Sequence, residues 1–184
     1  MAHAAIDACC LIDLLAVGHV EEILRAAGFD WHLPSAVQGE VRHVRRYNTA
    51  QPGQLLRVDV DLSPLIASGV LQPCGPSNQT EQGCCVRYAA QFRSEGEAMC
   101  LALAKQRNWT LATDDRRAIR IAQQAGLSLV SCPVLLKRWA DATQPDQATL
   151  SKVLRDIQVL AQFRPSPSMP EYQWWLDALA KAAP

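Results

Sequence analysis

The sequence predicts an α/β fold in which a parallel sheet carries helices on both faces. Three observations lead there. Short apolar segments suited to buried strands recur along the chain, at 3–8, 31–33, 55–60, 110–113 and 127–130. Helical periodicity lies between them, as in Ala118, Ile121, Ala122 and Ala125 at i, i+3, i+4 and i+7. Finally, the chain has 184 residues, 49% hydrophobic and 20% charged, enough for one ordinary domain with a real core. That balance excludes a disordered or fibrous chain, and strands alternating with helices imply parallel pairing.

The elements follow in order. Ala4-Ala5-Ile6 reads as a buried strand ending in an acid, Asp7, and Leu11, Ile12, Leu14 and Leu15 then mark a helix. A second helix near Glu21–Ala27 is closed by Gly28, and Trp31-His32-Leu33 is a brief strand. Pro34-Ser35 opens another helix, with Ser35 as cap and Gln38 completing a capping box. That helix is expected to carry Glu40 and a basic run, Arg42, His43, Arg45 and Arg46. Asn48–Gln54 is a polar loop, Leu55–Val60 a strand, and Ser63–Ala67 a short helix stopped by Gly69. After Val70-Leu71 and a loop at Cys74–Asn78, Thr80–Phe92 is expected to be helical. Glu97–Gln106 is apolar almost all round, as a helix at a domain centre should be. Thr110–Thr113 is a strand stopping at Asp114-Asp115, and the helix after it is closed by Gly126 before the strand Leu127–Val130. The last 40 residues read as helical. Leu150, Val153, Leu154, Ile157, Leu160 and Ala161 form an apolar stripe that suits either a dimer contact or the monomer core. Pro165, Pro167 and Pro170 make a break before Glu171–Ala183, where Trp174-Trp175 docks the tail.

Composition also bounds the setting. No run of about 18 apolar residues is present, so nothing is expected to span a membrane. The first residues lack the basic region of a signal peptide. Seven cysteines without a C-x-x-C pair read as reduced thiols of a cytoplasmic protein rather than a disulfide or zinc framework. Eighteen basic against 18 acidic residues argue against coating long nucleic acid by charge alone.

In an open parallel sheet, ligands bind beyond the carboxyl ends of the strands, where strand order reverses. Two of the expected strands end in acids there, at Asp7 and at Asp114-Asp115, while Glu40 and Glu97 are expected in the first turns of helices entered from the same kind of edge, so three or four carboxylates converge if those helices start there. Converging carboxylates repel unless a cation neutralises them, and a hard divalent ion with oxygen ligands, Mg²⁺ or Mn²⁺, suits such a set. A site of that kind serves phosphoryl chemistry. Each acid also has a plainer role open to it. Asp114 or Thr113 can cap the following helix, Ser94-x-x-Glu97 is itself a capping box, and Glu40 can be a solvated acid. Asp7 is the hardest to explain that way, flanked as it is by Ile6, Ala8 and Leu11.

Ile6-Asp7-Ala8 through Leu15, Pro34-Ser35-x4-Glu40-Val41, Gly96-Glu97-Ala98 and Leu111-Ala112-Thr113-Asp114-Asp115-Arg116-Arg117-Ala118 stand in that order over about residues 4–140. By these motifs the chain resembles the PIN-domain family, and VapC-like toxin ribonucleases within it. The resemblance implies a Rossmann-like α/β/α sandwich cleaving RNA with Mg²⁺ or Mn²⁺. Carried over, it makes Asp7, Glu40 and Glu97 the first three acids and Asp115 the fourth, with Asp114 a close contender and Thr113 in support. Asp7, Glu97 and the Asp114-Asp115 pair would hold the metal.

Six arginines then acquire a reading. Arg42, Arg45 and Arg46 follow Glu40, and Arg116, Arg117 and Arg120 follow the Asp pair, so both groups are expected to hold phosphates beside the scissile bond. Solvated helix faces are the alternative, and His43 reads as a surface residue rather than a general acid. The expectation is an endoribonuclease, the toxin of a bacterial toxin–antitoxin pair, with RNA as substrate, an antitoxin as partner and a homodimer as assembly. Residues 1–142 are the expected nuclease domain with a loop-rich insertion at 48–95, and 143–184 a helical extension on the same core. The alternatives are a PIN-like binding module without turnover and a small-molecule phosphohydrolase. No Asp-x-Asp follows the first strand, where Asp7-Ala8-Cys9 stands, which disfavours the phosphatase reading.

Overall fold

Five parallel strands set the architecture, in the spatial order β5-β2-β1-β6-β7. They are β1 (Ala2–Ile6), β2 (Phe29–Pro34), β5 (Leu71–Cys74), β6 (Thr110–Ala112) and β7 (Leu129–Val130). This computed structural model describes residues 1–92 and 94–181. The chain divides into two units that interleave in sequence. The first holds residues 1–11, 28–42 and 61–131, and the second holds 12–27, 43–60 and 132 onward.

In the first unit, β1 pairs with β2 through Ala4↔Trp31 and with β6 through Ile6↔Ala112. The chain runs from β1 outward through β2 to β5, then returns to the opposite side of β1 as β6. Strand order therefore reverses between β1 and β6, the kind of place where the crevice of such sheets opens. Ala4, Ala5, Ile6, Leu33, Leu111 and Ala112 are buried, as expected of strands covered on both faces. The helices of this unit are α3 (Ser35–Glu40), α4 (Ser63–Ala67), α5 (Gln79–Ala89), α6 (Glu95–Arg107) and α7 (Arg116–Gln124). α6 is the central one. It buries Gly96, Ala98 and Cys100 through Ala104, and the Cys100 thiol donates to the Ile6 carbonyl (3.4 Å). Full burial of Leu101 and Leu103 is worth about 2 kcal/mol each. Asn108, at φ +53°, ends α6 in the left-handed region and turns the chain toward β6.

α1 (Ala8–Ala16) begins in the first unit and continues into the second, followed there by α2 (Val20–Ala26). The second unit also holds a two-stranded antiparallel hairpin, β3 (His43–Tyr47) and β4 (Leu55–Asp59), and the helices α8 (Cys132–Thr143), α9 (Gln147–Asp156) and α10 (Tyr172–Ala180). α8 is absent from the expectations above; Leu135, Leu136 and Trp139 are its buried face, and Arg138 donates to the Ala27 carbonyl (3.0 Å). α9 runs on as a π-helical turn, Ile157–Ala161. Val153, Leu154, Ile157 and Leu160 of the apolar stripe are buried in the monomer. The last part of the expected tail helix, at 182–183, lies outside the described residues.

Two local expectations need correction. Arg45 and Arg46 lie on β3, not on a helix continuing from Glu40. α3 stops at Glu40, and His43-Val44-Arg45-Arg46-Tyr47 pairs with 55–59 in the register Val44↔Val58 and Arg45↔Arg57. Burying Val44 in this hairpin outweighs the helical preference of the arginines. Ser35 is likewise the first helical residue rather than the cap. Its hydroxyl donates to the Met99 sulfur (3.6 Å), and no side chain caps α3. Among the described residues, no helix is long and apolar enough to cross a membrane.

Candidate metal centre

Asp7 ends β1 at the point of strand reversal, and its N–H still belongs to the sheet, donating to the Ala112 carbonyl (3.0 Å). Its carboxylate caps α1, accepting from the Cys10 N–H (2.8 Å), and the Cys9 thiol donates to both oxygens (3.1 and 3.2 Å). The Thr113 hydroxyl is a further partner. All of these donors are neutral, and the residue is 1% exposed. Burial therefore pushes its pKa up to about 6, and the Asp115 charge adds to the rise, while Thr113, Cys10 and Cys9 partly offset it. The Cys9 thiol is pushed far up by burial and by Asp7, so it stays protonated and keeps donating.

Glu40 is the last residue of α3, not part of its first turn as expected, because α3 is only six residues long, and its carboxylate reaches this edge from that end. Its carboxylate accepts from the Ser94 hydroxyl (2.8 and 2.9 Å) and from the Gly96 N–H (2.8 Å), at the N-terminus of α6. An added Cβ at Gly96 would stand 2.5 Å from Glu40 Oε2 and 2.9 Å from its Cδ, so this contact requires glycine. The Ser94 hydroxyl also accepts from the Glu97 N–H (3.4 Å), the capping bond expected of Ser94-x-x-Glu97. Glu97 itself is half-buried. Its pKa is raised by burial first, then by the charges of Asp115, Asp7 and Glu40, with Arg117 opposing.

The cap of α7 is Asp115 rather than Asp114 or Thr113. Its Oδ1 accepts from the Ala118 N–H (2.7 Å), and its own N–H donates to the Thr113 hydroxyl (3.2 Å). Capping engages Oδ1, while the charge of Asp115 acts on both Asp7 and Glu97. The charge of Asp114 acts on the Cys9 thiol. Thr113, buried at 1% exposure, thus serves Asp7 and Asp115 together.

The arginines divide. Arg116, Arg117 and Arg120 are exposed on α7, and the Arg117 guanidinium lies 5.8 Å from the centre of the Phe92 ring. Arg42 is exposed, its Nε donating to the Gly39 carbonyl (2.7 Å). Arg45 and Arg46 belong to the second unit, where the Arg46 guanidinium donates to the carbonyls of Leu15 and Ala16 (2.8 and 2.6 Å) at the end of α1. His43 is tied into its hairpin between Asp59 (3.0 Å) and Arg57 (2.9 Å).

Asp7, Glu97, Asp115 and Glu40 therefore meet electrostatically at one sheet edge, and the donors to the most buried of them are neutral. Burial and the neighbouring charges raise the proton affinity of Asp7 and Glu97, and oxygen ligands of that kind fit a hard divalent cation. The contacts of Cys9, Ser94 and Gly96 lay outside the expected site residues. Ser94 and Gly96 stand in the same Ser94-x-Gly96-Glu97 run, which was the available signal for them. None of the seven cysteines is in a disulfide. No curated protein matches this chain. A family model described as PIN domain matches residues 3–171. With that match extending over most of its length, the chain belongs to the PIN-domain family, whose members are typically nucleases.

Proposed function

We propose that this chain is a metal-dependent endoribonuclease that hydrolyses RNA phosphodiester bonds and acts as the toxin of a bacterial toxin–antitoxin pair. One observation supports the reading: the charges of Asp115, Asp7 and Glu40 all act on Glu97, and Asp7, the most buried of them, accepts hydrogen bonds from neutral donors only. Asp7, Glu97 and Asp115 would hold Mg²⁺ or Mn²⁺, with Asp114 as a further candidate ligand. When bound, the metal supplies Lewis acidity toward a phosphate oxygen and lowers the pKa of water.

The protein groups have distinct tasks. Thr113 and Cys9 keep Asp7 oriented by donating to it. Ser94 and Gly96 hold Glu40 beside Glu97, where it adds negative charge and favours cation uptake. Arg116, Arg117 and Arg120 offer guanidinium groups to backbone phosphates, and Arg42 offers another near Glu40. RNA would bind through short phosphate contacts rather than through net charge. A basic side chain of an antitoxin would find the same acids attractive. In this reading residues 1–142 form the nuclease domain, with 48–95 as an insertion and 143–184 as a helical extension.

The test is cleavage of defined RNAs by purified wild-type and Asp7→Asn proteins with Mg²⁺ or Mn²⁺, mapping the new ends. Metal-dependent cuts by wild type alone are expected. Equal cleavage by Asp7→Asn overturns the assignment. Hydrolysis of a chromogenic phosphomonoester without RNA cleavage would instead favour the phosphohydrolase reading, and metal binding without turnover the binding-module reading.

A further inference from the structure

Away from the carboxylates, two imidazoles face each other across adjacent strands. His3 on β1 and His32 on β2 approach with Nδ1 and Nε2 3.0 Å apart. The Asp30 carboxylate lies 3.8 Å from the same His3 nitrogen, also on β2. The register explains the grouping: His3 pairs with Asp30, and His32 stands two residues along the same strand, opposite Ala5. Both imidazoles are partly exposed, so an ion can reach them. The rings are also supported, since His32 stacks on Trp109 at 3.9 Å between centroids and 10° between planes.

We infer that His3 and His32, with Asp30 beside them, form a second metal site, selective for a borderline transition ion such as Zn²⁺, Ni²⁺ or Co²⁺. The argument is geometric. Two imidazole nitrogens bound at about 2.0–2.1 Å to one ion, in cis octahedral or tetrahedral positions, stand about 2.9–3.4 Å apart. The observed 3.0 Å falls in that range. In a neutral pair one ring's N–H bridges the two nitrogens; on metal capture that ring exchanges its proton through solvent to its other nitrogen, so that both rings stay neutral and both facing lone pairs turn to the metal. Imidazole donors favour Zn²⁺, Ni²⁺ and Co²⁺ over Mg²⁺, whereas the carboxylate centre has the opposite preference. The site thus differs in ligand chemistry from the first. Stacking holds the His32 ring in place, which lowers the ordering cost of capture.

The probe is Zn²⁺ alone, titrated calorimetrically into the full chain with Mg²⁺ in excess to occupy oxygen sites. One equivalent should bind in wild type and in Glu97→Gln, and the heat should be lost in both His3→Gln and His32→Phe, the latter chosen to keep an aromatic ring on Trp109. Co²⁺ or Ni²⁺, which quench nearby indole, should quench fluorescence in wild type but not in Trp109→Phe or His32→Phe. Circular dichroism melts of each variant separate loss of the site from loss of fold. No saturable Zn²⁺ binding to wild type overturns the proposal. So does binding that survives His32→Phe, because that would place the ion on His3 and its other neighbours without His32.

Discussion

Asp7 and Glu81 are both buried carboxylates of the same unit, 1% and 5% exposed, yet their proton affinities move in opposite directions. Glu81 accepts from Arg107 Nε (2.7 Å) and Nη2 (2.9 Å), and from the N–H and hydroxyl of Ser77 (2.7 and 3.0 Å). Those bonds, the Arg107 bond first, hold its pKa down near about 2 despite burial. Asp7 receives a similar number of bonds but all from neutral donors, and its pKa rises to about 6. Burial penalises both; what differs is a resident cation. Glu81 is a structural ion pair between α5 and α6, whereas Asp7 has only neutral donors, and in the proposed reading its counterion is a metal ion from outside the chain.

The sharpest way to break this comparison is to neutralise each acid. Asp7→Asn should reduce metal-dependent RNA cleavage about a thousandfold, as expected when a ligand to a Lewis-acidic ion is lost. Glu81→Gln should leave cleavage nearly unchanged at temperatures where it remains folded. Its stability, read from urea denaturation, should instead fall by roughly 3 kcal/mol at neutral pH, because Arg107 loses its buried partner. Since the folded-state pKa of Glu81 is depressed, that contribution is present above its unfolded value of 4.5 and disappears as pH falls toward about 2.

Smaller changes sharpen the account. Gly96→Ala places a methyl group where the Glu40 carboxylate now sits and should cost about 1 kcal/mol in urea midpoint, even though alanine is the better helix former. A raised midpoint would contradict the close packing. Arg117→Gln and Arg46→Gln separate phosphate contact from structure. Arg117→Gln should lower the slope of log affinity for single-stranded RNA against log salt by roughly 0.7, with little change in stability. Arg46→Gln should leave the slope alone and lower stability, since its guanidinium serves the end of α1.

Much of the first unit was legible because its signals are local. Asp7 follows β1 and Asp114-Asp115 follow β6, where short apolar runs stop on acids, and Ser94-x-x-Glu97 announces the start of α6. The illegible parts depend on distant partners. The tie from Gly96 to Glu40 spans 56 positions and that from Arg107 to Glu81 spans 26, and no window of periodicity reaches either. Leu55–Val60 was legible as a strand, but its partner β3 escaped because His43-Val44-Arg45-Arg46-Tyr47 lacks clean alternation and directly follows a helix. Only its pairing with 55–59, across a polar loop, makes it a strand. Arg46 illustrates the consequence: its charge suggested phosphate, whereas its partners are the Leu15 and Ala16 carbonyls, about 30 residues earlier.

The central claim, that Asp7 is a buried charge awaiting a cation, is tested most directly by thermal melting of wild type and Asp7→Asn across Mn²⁺ concentration and pH. Because the folded-state pKa of about 6 exceeds the unfolded 3.8, ionised Asp7 opposes folding. Without metal, Asp7→Asn should therefore be the more stable protein above about pH 6, by up to about 3 kcal/mol, and the gain should vanish below about pH 4. Adding Mn²⁺ at neutral pH should raise the wild-type melting temperature saturably, by the equivalent of about 2.7 kcal/mol at a hundred times Kd, and leave Asp7→Asn unmoved. Equal Mn²⁺ responses in the two proteins, or a wild type that does not respond, would contradict the account.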